Sequence, residues 1–391
     1  MLSTRFTRTL ALAAGLMLVA TTTAHDPPGY DPRPGERPIA RGPDVDVILC
    51  LDCSNSMDGL ILAAKAKLWD IINDLARLKP TPHLRVGLYS YGNDTYPAAN
   101  GWIRKELDLG GDLDEVYRKL NALSTNGGTE YVTRVSRDAL IQQRWSMQPK
   151  ALRLLFVCGN EPADQDRETP IAEIAAAAKR QGVSIHTIYC GGAHDADARS
   201  WRQFAMLAGG AFTAISTNEP IYIPRTPYDD QLNSWGIKLN STYVPYGAVN
   251  FREEKVRNQT AQDANASGLG GGVAASRAVV KAGAQYRNAT WDLCDRLKED
   301  PKFDVNSVPE DQLPDEVRGL PKERRQGYVQ TKLQERAQLS KQIDELNRKR
   351  TAYIDEERKK TAGKKPGAGL DEALLKTIRE EAKLRGFEVG G

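Results

Sequence analysis

Short runs of apolar residues alternate with longer amphipathic stretches from about residue 44 onward. The run Val45-Asp46-Val47-Ile48-Leu49-Cys50-Leu51 predicts a strand buried on both faces. Leu60, Ala64, Leu68, Ile71, Leu75 and Leu78 follow at three- and four-residue spacing, the stripe of an amphipathic helix. Leu84 to Tyr91 and Trp102 to Leu109 predict two strands whose short Gly/Asn/Pro connection suits an antiparallel pair. Helices are expected near 112–123, 130–143 and 169–181, and around Trp201, Phe204 and Leu207 up to Gly209-Gly210. Leu152 to Val157, Val183 to Tyr189 and Ala211 to Ile215 complete the strands. Strands separated by helices predict an α/β fold: a doubly wound, mostly parallel sheet with helices on both faces, over 44–217.

The pattern changes after about residue 228. A transitional and helical region, 228–299, holds Tyr243, Pro245 and Tyr246, a glycine cluster at Gly268 and Gly270 to Gly272, and a helical spacing through Val279, Tyr286, Trp291 and Leu297. A proline-punctuated linker is expected over 300–321. Within 322–391, Tyr328 to Lys360 predicts one charged helix about 50 Å long, striped by Leu333, Leu339, Ile343, Leu346 and Tyr353. Lys364-Lys365-Pro366-Gly367 breaks it before a short helix near 370–385. The stripe has to bury against another helix of the chain or a second copy, so self-association through these helices is one expectation.

At the other end, Arg5 and Arg8 precede the apolar run Leu10 to Ala20 and the small residues Thr22-Thr23-Ala24. That order predicts a secretory signal over 1–24, cut after Ala24, and a periplasmic or secreted protein. The apolar run is too short for a hydrocarbon layer of ~30 Å, so no transmembrane anchor is expected. A Pro-rich linker, 25–43, follows.

Composition sharpens this outline. The chain has 391 residues with 54 Lys+Arg against 51 Asp+Glu, a net charge of +3 that argues against a nucleic-acid partner. The mean hydropathy of −0.52 is low for this length, and the charged helix accounts for it. Five cysteines make no disulfide framework; buried thiols are expected, with a Cys158–Cys190 bond open if their strands are neighbours. The histidines His25, His83, His186 and His194 are scattered, and no nucleophile elbow or phosphate loop occurs, so no enzyme is expected.

Candidate chemistry begins where the first strand ends, at Asp52-Cys53-Ser54-Asn55-Ser56-Met57. Alternate residues of an extended strand tip face one side, so Asp52, Ser54 and Ser56 can converge their oxygens. One carboxylate and two hydroxyls suit a hard, oxygen-seeking ion such as Mg2+. The plain alternative is a helix cap, which Ser or Asn between strand and helix also provides. Thr125-Asn126-Gly127-Gly128-Thr129-Glu130 precedes another predicted helix and has the same two readings. In doubly wound sheets, ligands sit at the carboxyl ends of strands where the strand order reverses, and these loops meet there.

Hydrophobic strand, Asp-x-Ser-x-Ser-Met, Gly-Gly-Thr and a further apolar strand, in that order, resemble a von Willebrand factor type A domain. The resemblance implies a metal-ion-dependent adhesion site with Asp52, Ser54, Ser56 and Thr129 as ligands. It implies Mg2+, or Mn2+ or Ca2+ in its place, and a protein partner whose exposed acidic residue completes the coordination. Such a site binds rather than catalyses. One loop departs from the family: Cys158 stands where an Asp is usual, in Val157-Cys158-Gly159-Asn160-Glu161-Pro162-Ala163-Asp164. Asn160 and Glu161 remain as residues that reach the ion through a water, with Asp164 behind them. A degenerate site on a metal-independent scaffold is therefore the alternative. The layout also resembles bacterial exported proteins of this type with a charged helical extension, a resemblance that brings no known activity.

Overall fold

The first strand, β1 (Asp44–Asp52), is almost wholly buried, as its unbroken apolar run requires. In the computed structural model, residues 42–76, 78–215, 225–361 and 370–389 are described; the expected signal and nearly all of the Pro-rich linker lie outside them. α1 (Asp58–Ala76) and the two-residue β2 (Leu78–Lys79) follow. β3 (His83–Tyr91) and β4 (Ile103–Gly110) form the expected antiparallel pair. α2 (Leu113–Ala122) and α3 (Val132–Gln142) precede β5 (Leu152–Gly159). α4 (Ile171–Gln181), β6 (Ser184–Tyr189), α5 (Ala198–Ala208) and β7 (Gly209–Ala214) complete the alternation.

The sheet has six strands in the order β4-β3-β1-β5-β6-β7, parallel except for edge strand β4. The fold is the α/β, doubly wound class that the sequence predicts. The chain leaves β1 for β3 on one side and returns to β5 on the other, so the order reverses at β1. Successive residues of β1 face opposite ways. Val45, Val47, Leu49 and Leu51 join α1 and α2 in one core, and Ile48 and Cys50 join α3, α4 and α5 in the other.

The region after the sheet holds more helix than its apolar pattern predicts: α6 (Asp229–Leu239), α7 (Val249–Gly268), α8 (Gly271–Ala282) and α9 (Leu293–Glu299). The single spacing expected through Val279 and Leu297 is two helices, because α8 stops at Gly283. The stretch 300–321 carries 3-10 turns and α10 (Asp315–Arg318), with Val305, Leu313 and Val317 buried. Pro309 and Pro314 stand at N-caps there, where a missing N–H costs nothing. α11 (Lys322–Thr361) is one helix of 40 residues. Its stripe is covered within the chain: Leu339 and Ile343 pack with Leu232, Leu239 and Ala275, and Val329 with Val244 and Leu293. α12 (Leu370–Leu384) and β8 (Glu388–Val389) return to the sheet domain. Ile378, Ala382 and Phe387 enter the core beside α1, and β8 pairs with β2. Among the described residues no helix is long and apolar enough to cross a membrane. All five cysteines are buried free thiols, Cys158 and Cys190 included.

A buried ionic network joins the two regions. Arg277 of α8 is 2% exposed. It donates to Asp114 of α2 at 2.5 Å and to Asp263 of α7 at 2.9 Å. Its guanidinium lies 4.6 Å from the Trp69 ring of α1 and 5.3 Å from that of Tyr286, whose hydroxyl also donates to Asp114. Lys281 completes the set on Asp263 at 2.8 Å. Buried charges persist only when paired and hydrogen-bonded, so docking of the helices and satisfaction of the network are one event. Asp114→Ala is expected to destabilise the protein by about 3–5 kcal/mol, because it strands a buried cation. Urea unfolding measures this, and a loss below about 1 kcal/mol would show that water reaches the network.

Candidate metal centre

Asp52 is the last residue of β1 and lies at the carboxyl end of the sheet, where the strand order reverses. Its side chain is fully buried. Oδ1 accepts the Ser54 backbone N–H at 2.8 Å, while Oδ2 has no hydrogen-bond partner. Ser54 Oγ and Ser56 Oγ are 3.2 Å apart, and Asn160 Nδ2 donates to Ser56 Oγ at 3.1 Å. Asn160 Oδ1 is likewise buried without a partner. The extended backbone at Ser54 (φ −69°, ψ 165°) holds this arrangement, and its side chain caps nothing, so the helix-cap reading does not account for it.

The Gly-Gly-Thr loop closes one wall. Asn126 N–H donates to the Cys53 carbonyl at 3.0 Å, and Asn93 Nδ2 to the Ser124 carbonyl at 3.0 Å. Gly128 has φ +145°, and a Cβ there would lie 2.0 Å from the Gly92 carbonyl oxygen, so the close approach requires glycine. Gly92, at φ +73°, is equally constrained, because a Cβ would lie 2.8 Å from Asp52 Oδ1 and 2.9 Å from Glu130 Cγ. Asp52 and Glu130 thus both approach Gly92, and Glu130 is turned inward, 9% exposed. It is the site residue that sequence reasoning missed. A charged residue directly after Thr129 carries no sign of which way it points; the constrained glycines are the only hint.

The other expected residues fall as follows. Thr129 is half-buried on the rim, and no side-chain hydrogen bond from it reaches Asp52, Ser54 or Ser56 among the described residues. Glu161 is exposed; its charge acts on Asp52 and Glu130, while its carbonyl accepts the Trp201 Nε1–H at 2.7 Å. Asp164 is exposed on the outer part of the loop. Cys158 is buried, and burial pushes its thiol up so that it keeps its proton. It contributes its carbonyl, which accepts the Tyr91 hydroxyl at 2.8 Å.

Burial pushes Asp52 up to about 7; the Ser54 N–H works against that, and the charges of Glu130 and Glu161 add to it. Glu130 is raised by burial and then by Glu161. Carboxylates that suffer one another without a cationic side chain are what a cation relieves. Among the described residues no three His, Cys, Asp or Glu side chains group closely enough to hold an ion by themselves, so hydroxyl oxygens have to take part. An unpartnered Asp52 oxygen on a strand end that continues into two paired hydroxyls fits a hard divalent ion in that way.

The loop after β5 is anchored from outside the site. Arg134 Nε and Nη2 donate to Asp166 at 2.6 and 2.8 Å, and Thr169 Oγ1 and the Glu168 N–H add two more bonds. Asn160 is thereby held between a fixed strand end and a fixed loop.

A family model of the von Willebrand factor type A domain matches residues 46–213. No curated protein matches the chain. Among solved structures, the SpRpn10 VWA domain is similar at 15% identity and a TM-score of 0.36, covering 46% of this chain and 90% of that one. The vWF domain of the type V pili tip protein Mfa5 from Porphyromonas gingivalis matches at 13% identity and 0.34, covering 46% and 91%. Proximal thread matrix protein 1 from the mussel byssus, with a zinc-occupied MIDAS motif, matches at 11% and 0.36, covering 46% of this chain and only 43% of its own.

Burial alone would raise the Asp166 carboxyl, but Arg134, Thr169 and the Glu168 N–H outweigh it and bring it down to about 2. A carboxyl below its unfolded value of 3.8 stabilises the fold above that pH and loses the effect as pH falls through about 2. Asp166→Asn is expected to cost about 1–2 kcal/mol at neutral pH. The gap from the parent should close in acid; a gap that stays constant down to pH ~2 in urea unfolding would refute the ionic origin.

Proposed function

The chain carries a von Willebrand factor type A domain over residues 46–213, and on that premise we propose that it is a metal-dependent protein-binding module. The observation that supports this reading best is Asp52 Oδ2, fully buried and unpartnered at the end of the strand that leads into Ser54 and Ser56, whose hydroxyls pair at 3.2 Å. An acceptor-only group in that position gains nothing from the protein and a great deal from a cation. Asp52, Ser54 and Ser56 would hold the ion, Asn160 would orient Ser56, and Glu130 and Glu161 would add negative potential. When bound, Mg2+ or Mn2+ supplies an electrophilic centre that takes an oxygen ligand from outside. The partner would supply that ligand as an exposed Asp or Glu.

Binding rather than catalysis is the reading we favour. The site offers hydroxyls tied to one another and to Asn160, and among the described residues no imidazole bonds to them. The sequence of residues 1–24 supports export, which would place the site before partners outside the cytoplasm. Cys158 favours the second reading, a scaffold that binds through its helices without metal, since it stands where an Asp is usual and keeps its proton.

Added Mg2+ or Mn2+ is expected to raise the melting temperature of the full chain, and Ser54→Ala with Ser56→Ala to abolish that rise. An unchanged melting temperature in the parent would remove the metal reading and leave the scaffold. Capture of a protein that is released by chelator and absent with the double variant would support the module.

A further inference from the structure

Two carboxylates, Asp52 and Glu130, are drawn into one small space without a cation. Glu130 is 9% exposed although it follows a loop open to solvent. The point that a Cβ on Gly92 would occupy lies within van der Waals contact of both Asp52 Oδ1 and Glu130 Cγ. The Ser54 backbone N–H bonds Asp52 Oδ1 at 2.8 Å, and its hydroxyl pairs with Ser56 Oγ at 3.2 Å. Among the described residues no Lys or Arg makes an ion pair with either carboxylate. Asp52 Oδ2 and Asn160 Oδ1 are buried, unpartnered acceptors beside this pair, independent signs that a donor or cation belongs there. Cys158, neutral and buried, brings no charge from the neighbouring loop.

We propose that Glu130 is the second carboxylate of the ion site, so that a divalent cation is held by Asp52 and Glu130 together. This rests on the metal-binding reading above and assigns its charge. Two carboxylates balance a divalent ion, and the site no longer needs an acid from the loop after β5. The glycine pair Gly92 and Gly128 then has a functional meaning, because the space they leave lets Glu130 turn toward Asp52. Thr129 directs the loop, while the residue after it supplies the charge.

The test is calorimetric titration of the full chain with Mn2+, for the parent and for Glu130→Gln, Glu130→Asp and Glu173→Gln. Glu130→Gln is expected to weaken Mn2+ binding about ten-fold or more. Glu173→Gln, an exposed charge on α4 away from the site, should change it by no more than about two-fold. Without metal, Glu130→Gln should melt no lower than the parent, because the amide removes a repelling charge. Glu130→Asp keeps the charge and should keep most of the binding. Parent-like binding by Glu130→Gln, or equal losses in the Gln and Asp variants, would overturn the assignment while leaving the metal reading intact. A parent that binds no Mn2+ would overturn both.

Discussion

The parallel sheet of this protein has to be covered on both faces, and the helices that cover it come from two distant parts of the chain. α3, α4 and α5 close one face, α4 and α5 each following directly on a strand and α3 following α2. The other face uses α1 and α2 together with Ile378, Ala382 and Phe387, which arrive from α12 and the turn after it, far along the sequence. Backbone groups of a parallel sheet are satisfied within the sheet, but its side chains are apolar on both sides and cannot be left wet. The long helical region is therefore part of the fold of the sheet. It is not an appendage.

That region is docked by charge as well as by apolar contact. Arg277 reaches across from α8 to Asp114 of α2 while stacking on Trp69 and Tyr286, and within the helical region Arg336 of α11 donates to Asp292 at 2.7 Å and Asp295 at 3.0 Å over the Tyr243 ring. An apolar interface would tolerate sliding by a helical turn. A buried guanidinium flanked by carboxylates and rings does not, since any shift leaves charges unpaired. The Asp52 strand end benefits indirectly: α1, which begins just after Ser54 and Ser56, is bonded to α8 through Asp70 and Asn73 in its C-terminal half.

Much of this was legible from spacing. The apolar runs at 45–51, 84–91, 152–157 and 183–189 are strands because no other element buries such runs at that length, and the Asp-x-Ser-x-Ser tip falls at the carboxyl end of the central one. α7 was not legible. It is long but polar, and it buries Gln259 and Gln262 rather than an apolar stripe, so periodicity has nothing to detect. The prolines of 300–321 mark starts of short helical turns as well as breaks, and only packing distinguishes the two. Within the site, Asp52, Ser54 and Ser56 were marked by alternation along an extended strand tip. Glu130 was not, since its inward turn depends on Gly92 and Gly128 coming together from separate loops.

The sequence by itself therefore determined the local elements, the sheet class and the strand-end motif, all of which follow from short-range periodicity and residue type. The tertiary structure alone decided three other things: where the charged helices go, which helices cover the second face, and which acid faces Asp52. Those depend on contacts between residues up to hundreds of positions apart. The pairing of Arg277 with Asp114 and the closeness of Glu130 to Asp52 exist only once the strands have aligned and the loops have met.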